Sequence, residues 1–372
     1  MHAPSAKLLG VKRFLLKLSI LLVGLCALEG LCSLALFAYS TAFESKPVLA
    51  ERRHTDYDEQ IGWVAQPSRT FTDLYGPGRS LTTNSRGFRG KSEIAPQRTA
   101  GRPRLVCVGD SFTLGYGVDD AHAWPQVLQS LDPRLEVANL GQGGYGIDQF
   151  LLWRQRAAAD LECDLLMCAF IPEDFERMCA DTFIVYGKPY FELENGALEL
   201  RNTPVPKRGY SFPWLVHNRA LVNRLGIAGI YNRLVQPEPR RTERSVVIPP
   251  AKAPQVAAAI FAELAKAAQA SGGQLVLVHL PSVEPRRLDR LVPLSGWPRE
   301  VCEQAASNGA RFIDLAPYFE ALEPAARAAL FLAEDAVQFT GAAGHYDEEG
   351  NEFVARKLLD ELKPLIDAAA AR

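Results

Sequence analysis

Residues 104–118, Arg-Leu-Val-Cys-Val-Gly-Asp-Ser-Phe-Thr-Leu-Gly-Tyr-Gly-Val, limit what this chain can become more than any other stretch. Leu105 to Val108 is short, uncharged and rich in β-branched residues, the mark of a strand buried on both faces of a helix-covered sheet. Gly109 permits a sharp turn, Asp110 and Ser111 follow where the chain leaves the sheet, and the stretch from Asp119 on reads as a helix. A serine at such a turn carries its oxygen clear of the carboxyl edge, with its own N–H aimed at whatever that oxygen attacks. The same tripeptide also serves as an ordinary serine N-cap, so its meaning depends on what else reaches that edge.

Four more apolar runs answer the first. Leu135 to Leu140 reads as a second strand, ending in Gly141-Gln142-Gly143-Gly144-Tyr145-Gly146 and leading into a helix from Ile147 to Ala159. Cys163 to Phe170 is the third, ending at Ile171-Pro172-Glu173-Asp174; Gln274 to Leu280 and Arg311 to Ala316 are the fourth and fifth, and Gln255 to Ala270 is the clearest intervening helix. Strands alternating with helices predict a parallel sheet covered on both faces, and ligands of such sheets sit at the carboxyl ends of the strands. Ser111, Gly144 and the Glu173-Asp174 pair all fall at such ends. The C-terminal run Gly344-His345-Tyr346-Asp347 adds a histidine on a loop before a helix that reaches about Ala368. Of the other five histidines, His2 and His54 lie outside the sheet region, His122 and His217 sit in helical context, and His279 lies inside a strand.

The N-terminus is of another kind. Residues 1–17 carry Lys7, Lys12, Arg13 and Lys17 and no acid, and Leu18 to Tyr39 is an apolar stretch of 22 residues, eleven of them Leu, Ile, Val or Phe. On the insertion scale those eleven supply roughly −3 to −7 kcal/mol against about +3 for Glu29, and the length suits a bilayer. The basic flank then predicts a cytoplasmic N-terminus, with everything after residue 45 on the far side. A cleaved signal peptide, cut near Ala38-Tyr39-Ser40, competes with an uncleaved anchor but would have an unusually long apolar region; a buried core helix is a third reading. The expected organisation is a basic cytoplasmic N-terminus over 1–17, a transmembrane anchor over 18–40, an extension or linker over 41–103, and a catalytic domain over 104–368 with an insertion at 175–250.

Charge is balanced, 41 Lys and Arg against 43 Asp and Glu, which argues against a nucleic-acid footprint or partner. Seven scattered cysteines without a Cys-x-x-Cys pair suggest buried apolar residues rather than a disulfide framework or a zinc site. No phosphate loop or dinucleotide fingerprint is present, so neither a metal nor any other cofactor is expected. Within the insertion, Lys188 to Leu200 reads as a hairpin with Asn195-Gly196 as a type I′ turn. Trp214 to Leu234 reads as helical, and Arg240, Arg241 and Arg244 read as a solvated loop. An insertion leaving the sheet beside Asp174 is placed to roof a site.

Taken together, Gly109-Asp110-Ser111, Asn139 through Gly144, Glu173-Asp174 and His345 resemble the four motif blocks of SGNH/GDSL-family hydrolases, in particular their membrane-anchored bacterial members. The resemblance covers about residues 58–368, including Asp58 to Trp63 and Gly87 to Gly90 of the extension. It implies a flavodoxin-like three-layer α/β/α fold with a five-stranded parallel sheet, Ser111 as nucleophile and His345 as general base. It also implies an oxyanion hole from the N–H groups of Ser111 and Gly144 plus a third-block side chain. Imidazole suits the task of taking the serine proton near neutral pH, and a glycine at 144 lets the backbone approach an oxyanion closely.

Two positions depart from the family pattern. Its third block has Asn-Asp, whose amide donates to the oxyanion; here Glu173 stands instead, and an ionised carboxylate donates nothing. Losing one such donor costs roughly 3–4 kcal/mol of transition-state stabilisation. The family's orienting Asp, two or three residues before the histidine, is replaced by Ala343 and Ala342, which costs up to about 10⁴-fold unless Asp335, Asp347 or a backbone carbonyl takes over. The expected function is an extracytoplasmic, membrane-anchored carboxylester hydrolase acting on a small-molecule, glycan or lipid ester. The alternatives are an O-acyltransferase acting on a cell-surface polysaccharide and a weak or silent glycan-binding protein of the same fold.

Overall fold

The computed structural model describes residues 6–43, 51–184, 186–206, 246–284 and 287–371. The chain divides into two units, Met1–Lys46 with Gly209–Glu243, and Pro47–Arg208 with Arg244–Arg372. In the first, helix α1 (Ala6–Phe43) contains the stretch Lys12–Ala35, 24 residues of mean hydropathy 2.1, long and apolar enough to cross a membrane and equally able to serve as a signal sequence. Its leucines are exposed along the span. Glu29 accepts a hydrogen bond from Ser33 Oγ, one turn on, at 3.1 Å, which lowers the cost of an acid in an apolar helix. The expected helix over Trp214 to Leu234 and the arginine loop at 240–244 lie outside the described residues.

The second unit is built on five parallel strands: β3 (Arg104–Gly109), β4 (Glu136–Asn139), β5 (Leu165–Phe170), β8 (Gln274–His279) and β9 (Arg311–Asp314), ordered β9-β8-β5-β3-β4. Numbered along the chain, these five run 2-1-3-4-5, the order of flavodoxin-like doubly wound sheets. The apolar runs seen in the sequence are the strands because both faces of the sheet are covered. Leu105, Cys107, Leu165, Met167, Val276 and Val278 join one core with Trp124 and Leu128 of helix α3 (Trp124–Leu131) and with Val354, Leu358 and Leu362 of helix α8 (Glu348–Ala370). Side chains alternate across a strand, so Val106, Val108, Cys168 and Phe170 turn to the opposite layer. That layer holds α4 (Ile147–Ala157), α6 (Ala253–Ala270) and α7 (Trp297–Ser307), and the Phe170 and Phe261 rings lie 6.3 Å apart there.

The expected helix from Asp119 on is corrected. Residues 119–123 form a turn in which Asp119 Oδ1 accepts from the N–H groups of Ala121 and His122, and the helix begins only at Trp124. An aspartate offering its own oxygen to nearby N–H groups competes with the helical ladder, which moves the start downstream. His122 is therefore in a turn rather than a helix.

Residues of the extension belong to the same unit as the sheet. Strands β1 (Thr55–Asp58) and β2 (Gly62–Ala65) form an antiparallel hairpin, and Arg89 N–H donates to Asn139 O at 3.0 Å along the outer strand β4. That bond occupies the last backbone acceptor of an edge strand that would otherwise be open to another chain. Within the insertion, β6 (Tyr190–Glu194) and β7 (Ala197–Arg201) pair as the expected hairpin, with Asn195 and Gly196 at φ +52° and +83° as a type I′ turn requires.

Candidate active site

Three chain reversals at the carboxyl ends of β3, β4 and β5 make the site. After β3, Gly109 has no room for a side chain: a Cβ there would lie 2.0 Å from Thr113 Oγ1 and 2.6 Å from Ala169 O. Asp110, not the serine, is the N-cap of the short turn α2 (Ser111–Leu114); its Oδ1 accepts from Phe112 N–H at 2.8 Å. Ser111 is thus the first helical residue and its hydroxyl is released from capping. The turn is held from behind by buried Arg89, whose guanidinium donates to the carbonyls of Leu114, Gly115 and Val118.

Ser111 Oγ and His345 Nε2, separated by 234 residues, lie 2.8 Å apart. His345 sits three residues before α8. Its backbone is pinned on both sides, by Leu332 N–H donating to His345 O at 2.8 Å and by His345 N–H donating to Ala342 O at 3.0 Å. Its ring stacks on Phe112 (centroids 4.4 Å apart) and against Tyr116 (5.3 Å). Burial first, and then the nearby Arg177 charge, lowers the His345 pKa to about 4 against the opposing pull of the Ala342 and Ala343 carbonyls. The imidazole is therefore neutral at neutral pH. Its Nδ1 makes no well-formed hydrogen bond among the described residues. Of the candidate carboxylates, Asp347 caps α8 through Gly350 N–H at 2.7 Å and Asp335 lies exposed on a 3₁₀ turn. Stacking and backbone tethers, rather than an acid, orient this histidine.

After β4, Asn139 ties its loop to the serine turn: Nδ2 donates to Thr113 O at 2.9 Å, and Gln142 N–H donates to Gly109 O at 3.0 Å. Gly144 has φ +77°, and a Cβ there would fall 2.2 Å from the Phe183 ring of the insertion. The insertion thus reaches this loop through Phe183. Its Lys188 is buried on Asp148 of α4 and on the carbonyls of Ala180 and Pro189, so that the lysine's three donors are all used.

After β5, Glu173 and Asp174 open helix α5 (Glu173–Met178) and part company. Glu173 Oε2 accepts from Ser282 Oγ at 3.3 Å and remains partly exposed. Asp174 is buried, its two oxygens taken by Ile171 N–H at 3.0 Å and by Arg177 Nη1 at 2.6 Å. The same Nη1 donates to Asp110 Oδ2 at 3.0 Å and to Tyr145 O at 3.3 Å. One guanidinium therefore joins the residue before Ser111, the residue after Gly144 and the third block. Burial raises the pKa of both acids, that of Asp174 well above the carboxylate range, where the neighbouring Asp110 charge adds to it. Burial works against the Arg177 charge, but Asp174 and Asp110 more than offset it.

Of the expected site residues, Asp110 and Asp174 are held by Arg177, and the Gly144 loop is held by Trp63, whose Nε1–H donates to Gly143 O at 2.9 Å; the sequence reading gave neither partner a role. Arg177 could have been found from its place one turn after Asp174, the spacing of a helical ion pair. Trp63 lay within a stretch already singled out, but nothing in its local sequence connects it to Gly144. Among the described residues no cluster of His, Cys, Asp or Glu is arranged to hold a metal ion.

No protein-family model matches the chain, and no curated protein does. Solved structures similar to it include a member of the lipolytic G-D-S-L family from Veillonella parvula (15% identity, 69% of this chain, 96% of that chain, TM-score 0.35). The lipase/acylhydrolase from Enterococcus faecalis is another (13% identity, 70% and 96%, TM-score 0.38). So is the acetylxylan esterase Axe2 from Geobacillus stearothermophilus (14% identity, 70% and 94%, TM-score 0.34).

Proposed function

We propose that the chain is a membrane-anchored hydrolase that cleaves a carboxylic ester, an acyl or acetyl group, through a Ser111 acyl-enzyme. The observation that carries this reading is the 2.8 Å approach of Ser111 Oγ to His345 Nε2. A neutral imidazole at that distance accepts the serine proton as Oγ bonds to the ester carbonyl carbon. The carbonyl oxygen becomes an oxyanion held by the N–H groups of Ser111 and Gly144. Collapse expels the alcohol, which takes the proton from His345; water then repeats the sequence and releases the acid.

Asp110 and Asp174 act behind the reacting atoms. Asp110 caps the serine turn, and both acids anchor Arg177. Glu173 supplies no donor to the hole, and among the described residues no carboxylate supports His345, so turnover is expected to be slow beside an enzyme holding both. The residual machinery still exceeds water, because preset backbone donors and substrate binding survive the loss of single members. The basic residues before the apolar helix support a cytoplasmic N-terminus, with residues 104–368 outside the membrane on the far side. The ester is then a surface glycan, a lipid or a small molecule met there.

The test uses full-length protein in detergent with p-nitrophenyl acetate and a fluorophosphonate label. Label mapped to Ser111, with both label and release lost in Ser111→Ala and sharply reduced in His345→Ala, is the expected result. Release that persists in Ser111→Ala, with Ser111 unlabelled, would overturn the reading.

A further inference from the structure

The peptide between Gly143 and Gly144 has glycine on both sides. Such a peptide can rotate about its flanking bonds more cheaply than any other, since neither residue has a Cβ to forbid the alternative. Rotation by half a turn would exchange the directions of the Gly144 N–H and the Gly143 carbonyl oxygen. The glycines cannot be replaced to stop this: a Cβ on Gly143 would meet the Tyr116 hydroxyl at 1.8 Å, and one on Gly144 the Phe183 ring at 2.2 Å. The plane has to be fixed from outside.

Trp63 does so. Its indole Nε1–H donates to Gly143 O at 2.9 Å in a fully buried contact, from a residue 80 positions earlier in the chain. The carbonyl of residue 143 and the N–H of residue 144 belong to one planar trans peptide and point in opposite directions. A donor that holds the first therefore sets the direction of the second. Trp63 is itself fixed: Tyr145 Oη donates to its carbonyl, and its ring packs on Phe183 (5.7 Å), Tyr145 (5.5 Å) and Tyr186 (5.6 Å). Gln149 Nε2 ties the same hairpin to the start of α4 through Ile61 O at 2.9 Å.

We propose that Trp63 is a positioning residue of the oxyanion hole, whose indole N–H locks the Gly143–Gly144 peptide with the Gly144 N–H turned toward the reacting carbonyl. The proposal rests on the ester-hydrolase reading above. It makes the extension that precedes the catalytic domain a working part of the site. The hydrogen bond also polarises the amide, which strengthens its N–H as a donor.

The experiment compares full-length wild-type protein in detergent with Trp63→Phe and with 3-benzothienylalanine at position 63, a near-isostere of tryptophan carrying sulfur in place of N–H. A transition-state donor that loses its orientation lowers kcat by about 10- to 100-fold and leaves KM within about twofold. The isostere keeps the ring packing, so a kcat loss there cannot come from a failure to fold. Wild-type kcat in the isostere, or a loss confined to KM, would overturn the proposal. Absence of Ser111-dependent turnover in wild type would instead sink the hydrolase reading. The locking bond is then decided by the Gly144 amide ¹H–¹⁵N signal, which must move in the isostere and, if unmoved, overturns it.

Discussion

Replacing Arg177 with methionine tests how the site is held together, because that single guanidinium joins Asp110, Asp174 and Tyr145 O. Both acids are fully buried and Arg177 is 12% exposed, so solvent does little to screen the loss. Breaking a buried ion pair from one side costs about 3–5 kcal/mol. For a unit of this size that is a fall in Tm of about 5–8 °C. The deficit depends on pH in a defined direction. Asp110 and Asp174 already have pKa values raised by burial, and without the cation they rise further. A carboxyl whose folded pKa exceeds its unfolded value of about 3.9 destabilises the fold increasingly as pH rises through the folded pKa. The deficit of Arg177→Met, read from thermal melts, is therefore larger at pH 7.5 than at pH 5. A second readout concerns the base. Arg177 is the second cause of the low His345 pKa of about 4, so its removal raises that pKa toward the ordinary value and moves the acid limb of kcat/KM to higher pH. A deficit below about 1 kcal/mol at pH 7.5, far under the expected cost, or one no smaller at pH 5, would refute this account of the network. An acid limb that stays in place would refute the electrostatic link to His345.

Two further substitutions probe the hole. Glu173→Asn puts an amide donor where a carboxylate stands, and Ser111-dependent turnover is expected to rise by up to about 100-fold; unchanged turnover would mean that position 173 does not face the oxyanion. Gly144→Ala forces a Cβ against the Phe183 ring and onto a backbone at φ +77°. The left-handed conformation alone costs about 1–2 kcal/mol, or about 2–3 °C in Tm, and turnover should fall with it; an active, fully stable variant would show that the loop relaxes freely.

Much of this protein follows from the order of its residues. The apolar runs at 104–109, 136–139, 165–170, 274–279 and 311–314 become strands because a sheet covered on both faces buries mostly apolar side chains, the polar ones sitting at the strand ends, and local sequence carries that requirement. The same holds for the Asn195-Gly196 turn and for the apolar helix over 12–35, each set by chemistry within a few residues. Asp119 misled for a local reason too: its side chain competes with the helical ladder it seemed to begin. What only the tertiary structure decided are meetings across long stretches of chain. Ser111 meets His345 over 234 positions, and Trp63 reaches Gly143 over 80. Arg177 shows the same limit, since its pairing with Asp174 is local while its bonds to Asp110 and Tyr145 require the sheet to bring three loops to one edge. A sequence states which groups a chain has to satisfy, and the winding of the sheet decides which of them satisfy one another.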